Sequence, residues 1–160
     1  QSLSAGSFTA QVGGGSGVAL VEVYEVGSAS TGRLGNVSAR TLAGTDADTL
    51  IVGFVIGGDT AKTVLIRGIG PTLSAFGVGG VLANPRLQLY RDAMLVAENS
   101  TWGGSTAFAT AFGQVGAFPL AADSHDAALL VTLLPGAYTA QITGAANTTG
   151  VALVEIYEVP

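Results

Sequence analysis

Two stretches decide how this chain folds: residues 6–26, GSFTAQVGGGSGVALVEVYEV, and residues 136–159, GAYTAQITGAANTTGVALVEIYEV. Aligning 6–12 with 136–142 and 17–26 with 150–159 gives 13 identities in 17 positions. Three of the four differences, Phe8/Tyr138, Val12/Ile142 and Val23/Ile156, preserve size and character. The connecting loop alone changes length, GGGS against TGAANTT. A match this close is an internal repeat. The chain opens with a copy of the element that closes it.

Each copy reads as a β-hairpin, with strands rich in Val, Tyr, Phe and Thr joined by a loop of Gly, Asn and Thr. Along 18–26 both alternating faces are apolar: Ala19, Val21 and Val23 on one, Val18, Leu20 and Tyr24 on the other. Such a strand is covered on both sides, so its C-terminal counterpart, 151–159, is expected at the centre of a sheet. Glu22 and Glu155 fall on the face of Leu20 and Tyr24, where a carboxylate needs a partner. Arg67, in VLIRGIG with Leu65 and Ile69 on its face, is the expected partner of a strand carboxylate such as Glu155.

Between the copies, residues 27–34 (GSASTGRL) have the composition of a linker. Apolar runs at 49–56 and 63–69 are separated by the turn GGDTAK. Strands at 86–90 and 93–98 flank Arg91-Asp92 as a tight hairpin, and 126–133 leads through Pro135-Gly136 into the final element. Helical spacing occurs at 105–114 alone, through Phe108 and Phe112. The pattern predicts an all-β fold, an antiparallel β-sandwich of jelly-roll or Ig-like type with at most one short helix and an extra N-terminal β-hairpin. Residues 1–32 form the hairpin and linker in this reading, and 33–160 the sandwich.

Composition narrows the function. Among 160 residues there are 24 Gly and only 11% charged residues, so neither a disordered chain nor a charged helical bundle fits. Six basic residues against eleven acidic ones leave no basic patch, which excludes nucleic acid as an expected partner. Cysteine is absent, so disulfides and thiolate chemistry are excluded. Residues 127–154 carry no charge, but Pro135-Gly136 and the polar run 143–149 divide the stretch into strand-length pieces. A spanning helix needs about 20 apolar residues in a row, so no membrane span is expected. The start, QSLSAGSF, has neither a basic region nor a long apolar one and does not read as a signal peptide; without a Met it reads as processed or excised.

The segments PRLQLYRDAMLVAENSTWGG, DAALLVTLLPGAYTAQITG and GVALVEIYEV resemble repeat modules near the C-terminal ends of very large secreted bacterial surface proteins. The resemblance covers roughly residues 33–159. More distantly, the chain is similar to the pre-peptidase C-terminal type of β-sandwich, which shares an "LxLY…LVAxN…W" hairpin and an "LPPGxYTxxVxG" hairpin. The resemblance implies an extracellular accessory module without catalytic activity. Glu98-Asn99-Ser100 stands where the pre-peptidase type often carries acidic residues, a departure from its calcium pattern.

Catalytic constellations are weak. Ser124-His125-Asp126 holds the three triad residue types as neighbours, and neighbours in an extended segment point to opposite faces. No complete nucleophile-elbow or dinucleotide-binding glycine motif occurs. Asp123, Asp126 and Glu98 are the calcium candidates, since hard cations take oxygen ligands from such turns; the competing reading is that turns favour Asp for their own hydrogen bonds. No other cofactor is expected. Asn36, Asn99 and Asn147 begin N-x-S/T triplets and are candidate glycosylation sites on a secreted chain, although Asn, Ser and Thr all favour loops.

Two functions are weighed. In the first, the chain is a non-catalytic extracellular or cell-surface module whose partners are copies of itself. These join head-to-tail into a filament by exchange of the N-terminal hairpin, through Phe8, Val18, Leu20, Val21, Val23, Tyr24 and Val26. Left free, that hairpin would present an apolar strand with open edges. The alternative is a carbohydrate- or surface-binding accessory module in a tandem-repeat secreted protein. Binding sandwiches display several exposed aromatics, whereas Trp102 is the single Trp here and most other aromatics fall at strand positions. The first reading is therefore preferred. In a variant of it, residues 1–26 are the tail of a preceding repeat in one long chain.

Overall fold

A computed structural model describes residues 3–15, 17–25 and 34–160. The chain divides into two units, residues 1–35 and 36–160. The larger unit holds β1 (Asn36–Ala43), β2 (Leu50–Ile56), β3 (Lys62–Ile69), β4 (Pro85–Arg91), β5 (Met94–Asn99), α1 (Thr106–Val115), β6 (Ala127–Leu133), β7 (Gly136–Gly144) and β8 (Gly150–Glu158). Two four-stranded antiparallel sheets face each other, ordered β1-β8-β3-β6 and β2-β7-β4-β5. The expected β-sandwich with one short helix is therefore the observed fold.

Strand alternation explains why this unit has two cores. On β3, Val64 and Ile66 join Val154 and Ile156 of β8, and Leu87, Leu89, Tyr138, Ala140 and Ile142 of the other sheet, in the core between the sheets. Leu65 and Ile69 point the other way, into a second core with Leu73, Trp102, Phe112 and Leu120, beneath α1 and the loops beside it. The sheet containing β3 and β8 is thus covered on both faces. This is the reason the sequence of these strands runs apolar without a clean alternation. β8 lies inside its sheet between β1 and β3, as its two apolar faces predicted.

The connections correct the sequence reading. β4 and β5 form the expected hairpin, in which Asp92 at the turn takes a left-handed φ of 54°. β7 and β8, by contrast, belong to opposite sheets. The C-terminal element is an arch that crosses the sandwich, not a hairpin, and it gives one interior strand to each sheet. The pairs β2–β3 and β6–β7 cross between sheets in the same way. Alternation sets which side chains point inward, but it does not say which strand lies alongside.

In the N-terminal unit, the described residues of 3–25 form no β-ladder, so no hairpin is seen there. Val26, and most of the linker at 27–34, lie outside the described residues. Among the described residues, no helix is long and apolar enough to cross a membrane.

Candidate functional site

The element used twice in the sequence is the candidate site, and its C-terminal copy shows what it needs. β7 enters between β2 and β4, with Tyr138, Ala140 and Ile142 turned to the core. Tyr138 stacks on Phe54 at 5.7 Å between ring centroids, and its hydroxyl donates to the Leu134 carbonyl at 2.9 Å. β8 enters between β1 and β3, with Ala152, Val154 and Ile156 inward. Its start is held by the 80–82 segment: Leu82 N–H donates to Val151 O at 2.9 Å, and Val151 N–H donates to Gly80 O at 2.8 Å.

The opposite face of β8 carries a buried charge cluster. Arg67 on β3 stands directly across from Glu155. Its Nε and Nη2 both donate to Oε2, at 2.8 and 2.5 Å. Nη1 donates to the Phe118 carbonyl at 2.6 Å, and the guanidinium lies 4.2 Å from the Phe118 ring centroid and 4.9 Å from that of Phe112. Tyr157 donates to the other oxygen of Glu155 at 2.8 Å. Burial, followed by the nearby Glu155 charge, pushes the Tyr157 hydroxyl up to about 12. Both carboxylate oxygens and three guanidinium nitrogens are engaged, so the ion pair expected from sequence is fully satisfied.

The N-terminal copy presents the same side chains without a setting. Phe8, Val21, Val23 and Tyr24 are 60%, 51%, 62% and 74% exposed, against 5% or less for Tyr138, Val154 and Ile156. Val18 and Leu20 are more exposed still. Tyr24 donates to Glu22 Oε1 at 2.8 Å, the same contact that Tyr157 makes to Glu155. That hydrogen bond raises the Tyr24 hydroxyl above its ordinary value.

The structure does not bring the remaining candidates together. Ser124 donates to Asp126 Oδ2 at 2.9 Å, while His125 is exposed and bonded to neither. Asp126 is buried and ties loops together: it accepts from Gly70 N–H at 2.7 Å and from the Thr72 hydroxyl at 2.5 Å. Glu98 lies on the surface of the other sheet, paired with Arg86 at 2.6 Å, and the Arg86 guanidinium holds its carboxyl below the usual range. Asp123 is exposed. Among the described residues no three His, Cys, Asp or Glu side chains gather as a metal site. An open groove of about 510 Å³ is lined by Asp46, Arg86, Gln88 and Asn147, and its Arg86 is already bound to Glu98.

Asn36 and Asn147 are accessible, whereas the Asn99 carboxamide oxygen accepts from Thr101 N–H at 3.0 Å and Ala128 N–H at 3.1 Å. Asn99 thereby joins β5 to β6. Trp102 is buried, with Nε1 donating to the Ala121 carbonyl at 2.9 Å. Sequence reasoning found the Arg67–Glu155 pair but missed the structural part of Asp126 and Asn99. Their one signal was position, each standing next to an apolar strand rather than in a turn tip.

No family model matches the chain. No curated protein matches it either. Among solved structures, it is similar to the pre-peptidase C-terminal domain of collagenase from Bacillus anthracis, at 13% identity and a TM-score of 0.46. The match covers 76% of this chain and 88% of that one.

Proposed function

We propose that this chain is a non-catalytic, extracellular structural module. It joins to further copies head-to-tail through residues 6–26, which exchange for residues 136–159 in the sandwich of a neighbouring copy. One observation carries the reading: residues 6–26 repeat an arch whose two strands each need flanking strands from a sandwich body. The body formed by 36–160 already holds its own copy in that place. The duplicate therefore suits a second body of the same kind. Donor and acceptor surfaces differ, so the contact is heterologous and repeats from copy to copy into an open filament.

The physical motive is burial and backbone pairing. An apolar strand left with free edges invites association, and insertion between two strands satisfies its backbone groups while burying both faces. The extracellular placement rests on the resemblance of residues 33–159 to secreted surface modules and on the two accessible N-x-S/T triplets, at Asn36 and Asn147. The buried Trp102 weighs against a carbohydrate platform, which requires exposed aromatic faces.

Sedimentation of chain 1–160, and of a version lacking residues 1–30, tests the proposal. Association that grows with concentration and disappears on deletion is the expected result. A full chain that stays monomeric at high concentration overturns it.

A further inference from the structure

An open sheet ends on two edge strands, and an exposed edge offers unpaired N–H and C=O groups to any strand that comes alongside. The edges of the two sheets are β1, β6, β2 and β5. β1 is guarded by Arg40 among polar residues. β5 carries Glu98, and its ladder with β4 shifts register between Leu89 and Tyr90. At β6 the Ala128 N–H already donates to the Asn99 carboxamide at 3.1 Å, and Trp102 N–H donates to the Asp126 carbonyl at 2.9 Å.

β2 has none of these guards. Its sequence, LIVGFVI, contains neither a charge nor a proline, and it pairs with β7 in unbroken register from Leu50 to Ile56. Among the described residues, no backbone hydrogen bond reaches its other side. Its outward face shows Ile51 and Val55, 57% and 74% exposed, with Gly53 between them. Toward the core, Phe54 and Ile56 are only partly buried.

Gly53 has no reason within its own chain. Its φ is not left-handed, and a Cβ added there would approach only the Tyr138 carbonyl oxygen, at an ordinary 3.9 Å. A glycine inside a strand often marks a bulge or the close approach of another backbone, and the β2 ladder has no bulge. The strand is also symmetric in character about this glycine. Val52 and Phe54, Ile51 and Val55, and Leu50 and Ile56 are apolar pairs at equal spacing from it.

We infer that the free edge of β2 binds the β2 edge of a second copy, antiparallel, about a twofold axis through Gly53. Ile51 then faces the partner's Val55 on the outer side. On the inner side Val52 meets the partner's Phe54, and Leu50 the partner's Ile56, which covers side chains that the lone sandwich leaves part-exposed. Such cross-strand pairs are the unit of sheet stabilisation. Because the strand carries no charge, another uncharged apolar strand matches it better than an acidic or basic segment does. The contact is isologous and closes at two copies, unlike head-to-tail joining, and it does not use residues 6–26. Seven residues a side fall short of the roughly 20–30 of a standard interface, so the pair is too short-lived to sediment as a dimer and must be trapped covalently.

The chain has no cysteine of its own, so introduced thiols report the pairing. Full-length Ile51→Cys and a mass-tagged full-length Val55→Cys are mixed and oxidised, and the disulfide-linked products are resolved by mass. Both side chains are exposed, so neither substitution threatens the fold. Positions 51 and 55 lie opposite each other in this register, whereas like positions sit about 13 Å apart, beyond the reach of a disulfide. The mixed dimer should therefore form about tenfold faster, or more, than either like-with-like dimer. A chain carrying both substitutions should stop at a doubly linked dimer, because a twofold contact closes. Absence of the mixed dimer, or equal rates for mixed and like-with-like dimers, overturns the inference. So does a ladder of larger linked species from the double variant.

Discussion

Arg67 and Glu155 face each other directly across β3 and β8, and two guanidinium nitrogens share one carboxylate oxygen at 2.8 and 2.5 Å. The arginine side chain is fully buried and the glutamate 8% exposed. Removing one partner strands the other charge in a dry site, so Arg67→Met should cost about 3–5 kcal/mol. Replacing both, as Arg67→Met with Glu155→Leu, should recover most of that loss. Urea unfolding of the two variants measures it. A double variant as unstable as the single one would show that the pair contributes more than mutual neutralisation.

Tyr157 gives this cluster an alkaline limit. Its hydroxyl is raised from 10.0 to about 12 by burial and by Glu155. The folded state therefore holds the phenolic proton more tightly than the unfolded chain does. The resulting stability is fully present below pH 10 and is lost as pH rises from 10 toward 12. Because the residue is about half-buried, solvent screening reduces the size of the effect. Tyr157→Phe should flatten the decline of melting temperature over that window. A variant profile parallel to the parent above about pH 10 would remove Tyr157 from the account.

The sequence was readable where one strand's own pattern settles the matter. Two apolar faces on 151–159 require cover on both sides, and β8 has it. Arg67 among Leu65 and Ile69 required a carboxylate, and Glu155 was the available one in a strand of the same kind. Partnership between strands was less readable. Period-two alternation reads the same for a hairpin and for an arch, so β7 and β8 were paired in expectation although they lie in opposite sheets. Loop length gave no help, since the five residues 145–149 between the two strands fall within the range usual for hairpins. The contacts of Asp126 were hidden for a related reason. An Asp beside Ser and His looks like a turn or a ligand, and the Gly70 and Thr72 groups it binds are distant in sequence.

Asp126 should behave as a structural acceptor and not as a calcium ligand. Its buried carboxylate takes the Gly70 N–H, the Thr72 hydroxyl and the Ser124 hydroxyl. Asp126→Ala leaves buried donors unpaired and should cost about 2–4 kcal/mol, at roughly one to three for each stranded group with partial relaxation. Millimolar calcium should leave the melting temperature of the parent unchanged. A rise of several degrees with calcium that disappears in Asp126→Ala would restore the cation reading.

Two glycines separate the cost of close backbone approach from the cost of chain freedom. A Cβ on Gly150, at the start of β8, would fall 2.4 Å from Leu82 N and 2.5 Å from Val81 C. Neither is a flexible side-chain end, so the 80–82 segment itself must move. It is held there by the two backbone hydrogen bonds to Val151, at 2.8 and 2.9 Å, and moving it strains both. Gly150→Ala should therefore destabilise the sandwich by about 3 kcal/mol, at the upper end of the usual overpacking range. Gly113 stands exposed inside α1, and a Cβ added there would meet nothing within 4 Å. Gly113→Ala restricts the unfolded chain and favours the helix, so it should stabilise by up to about 1 kcal/mol. Chemical denaturation of the two variants against the parent reads both signs in one experiment. A neutral Gly150→Ala would mean that the 80–82 segment yields freely, and the anchoring of β8 at its first residues would have to be abandoned.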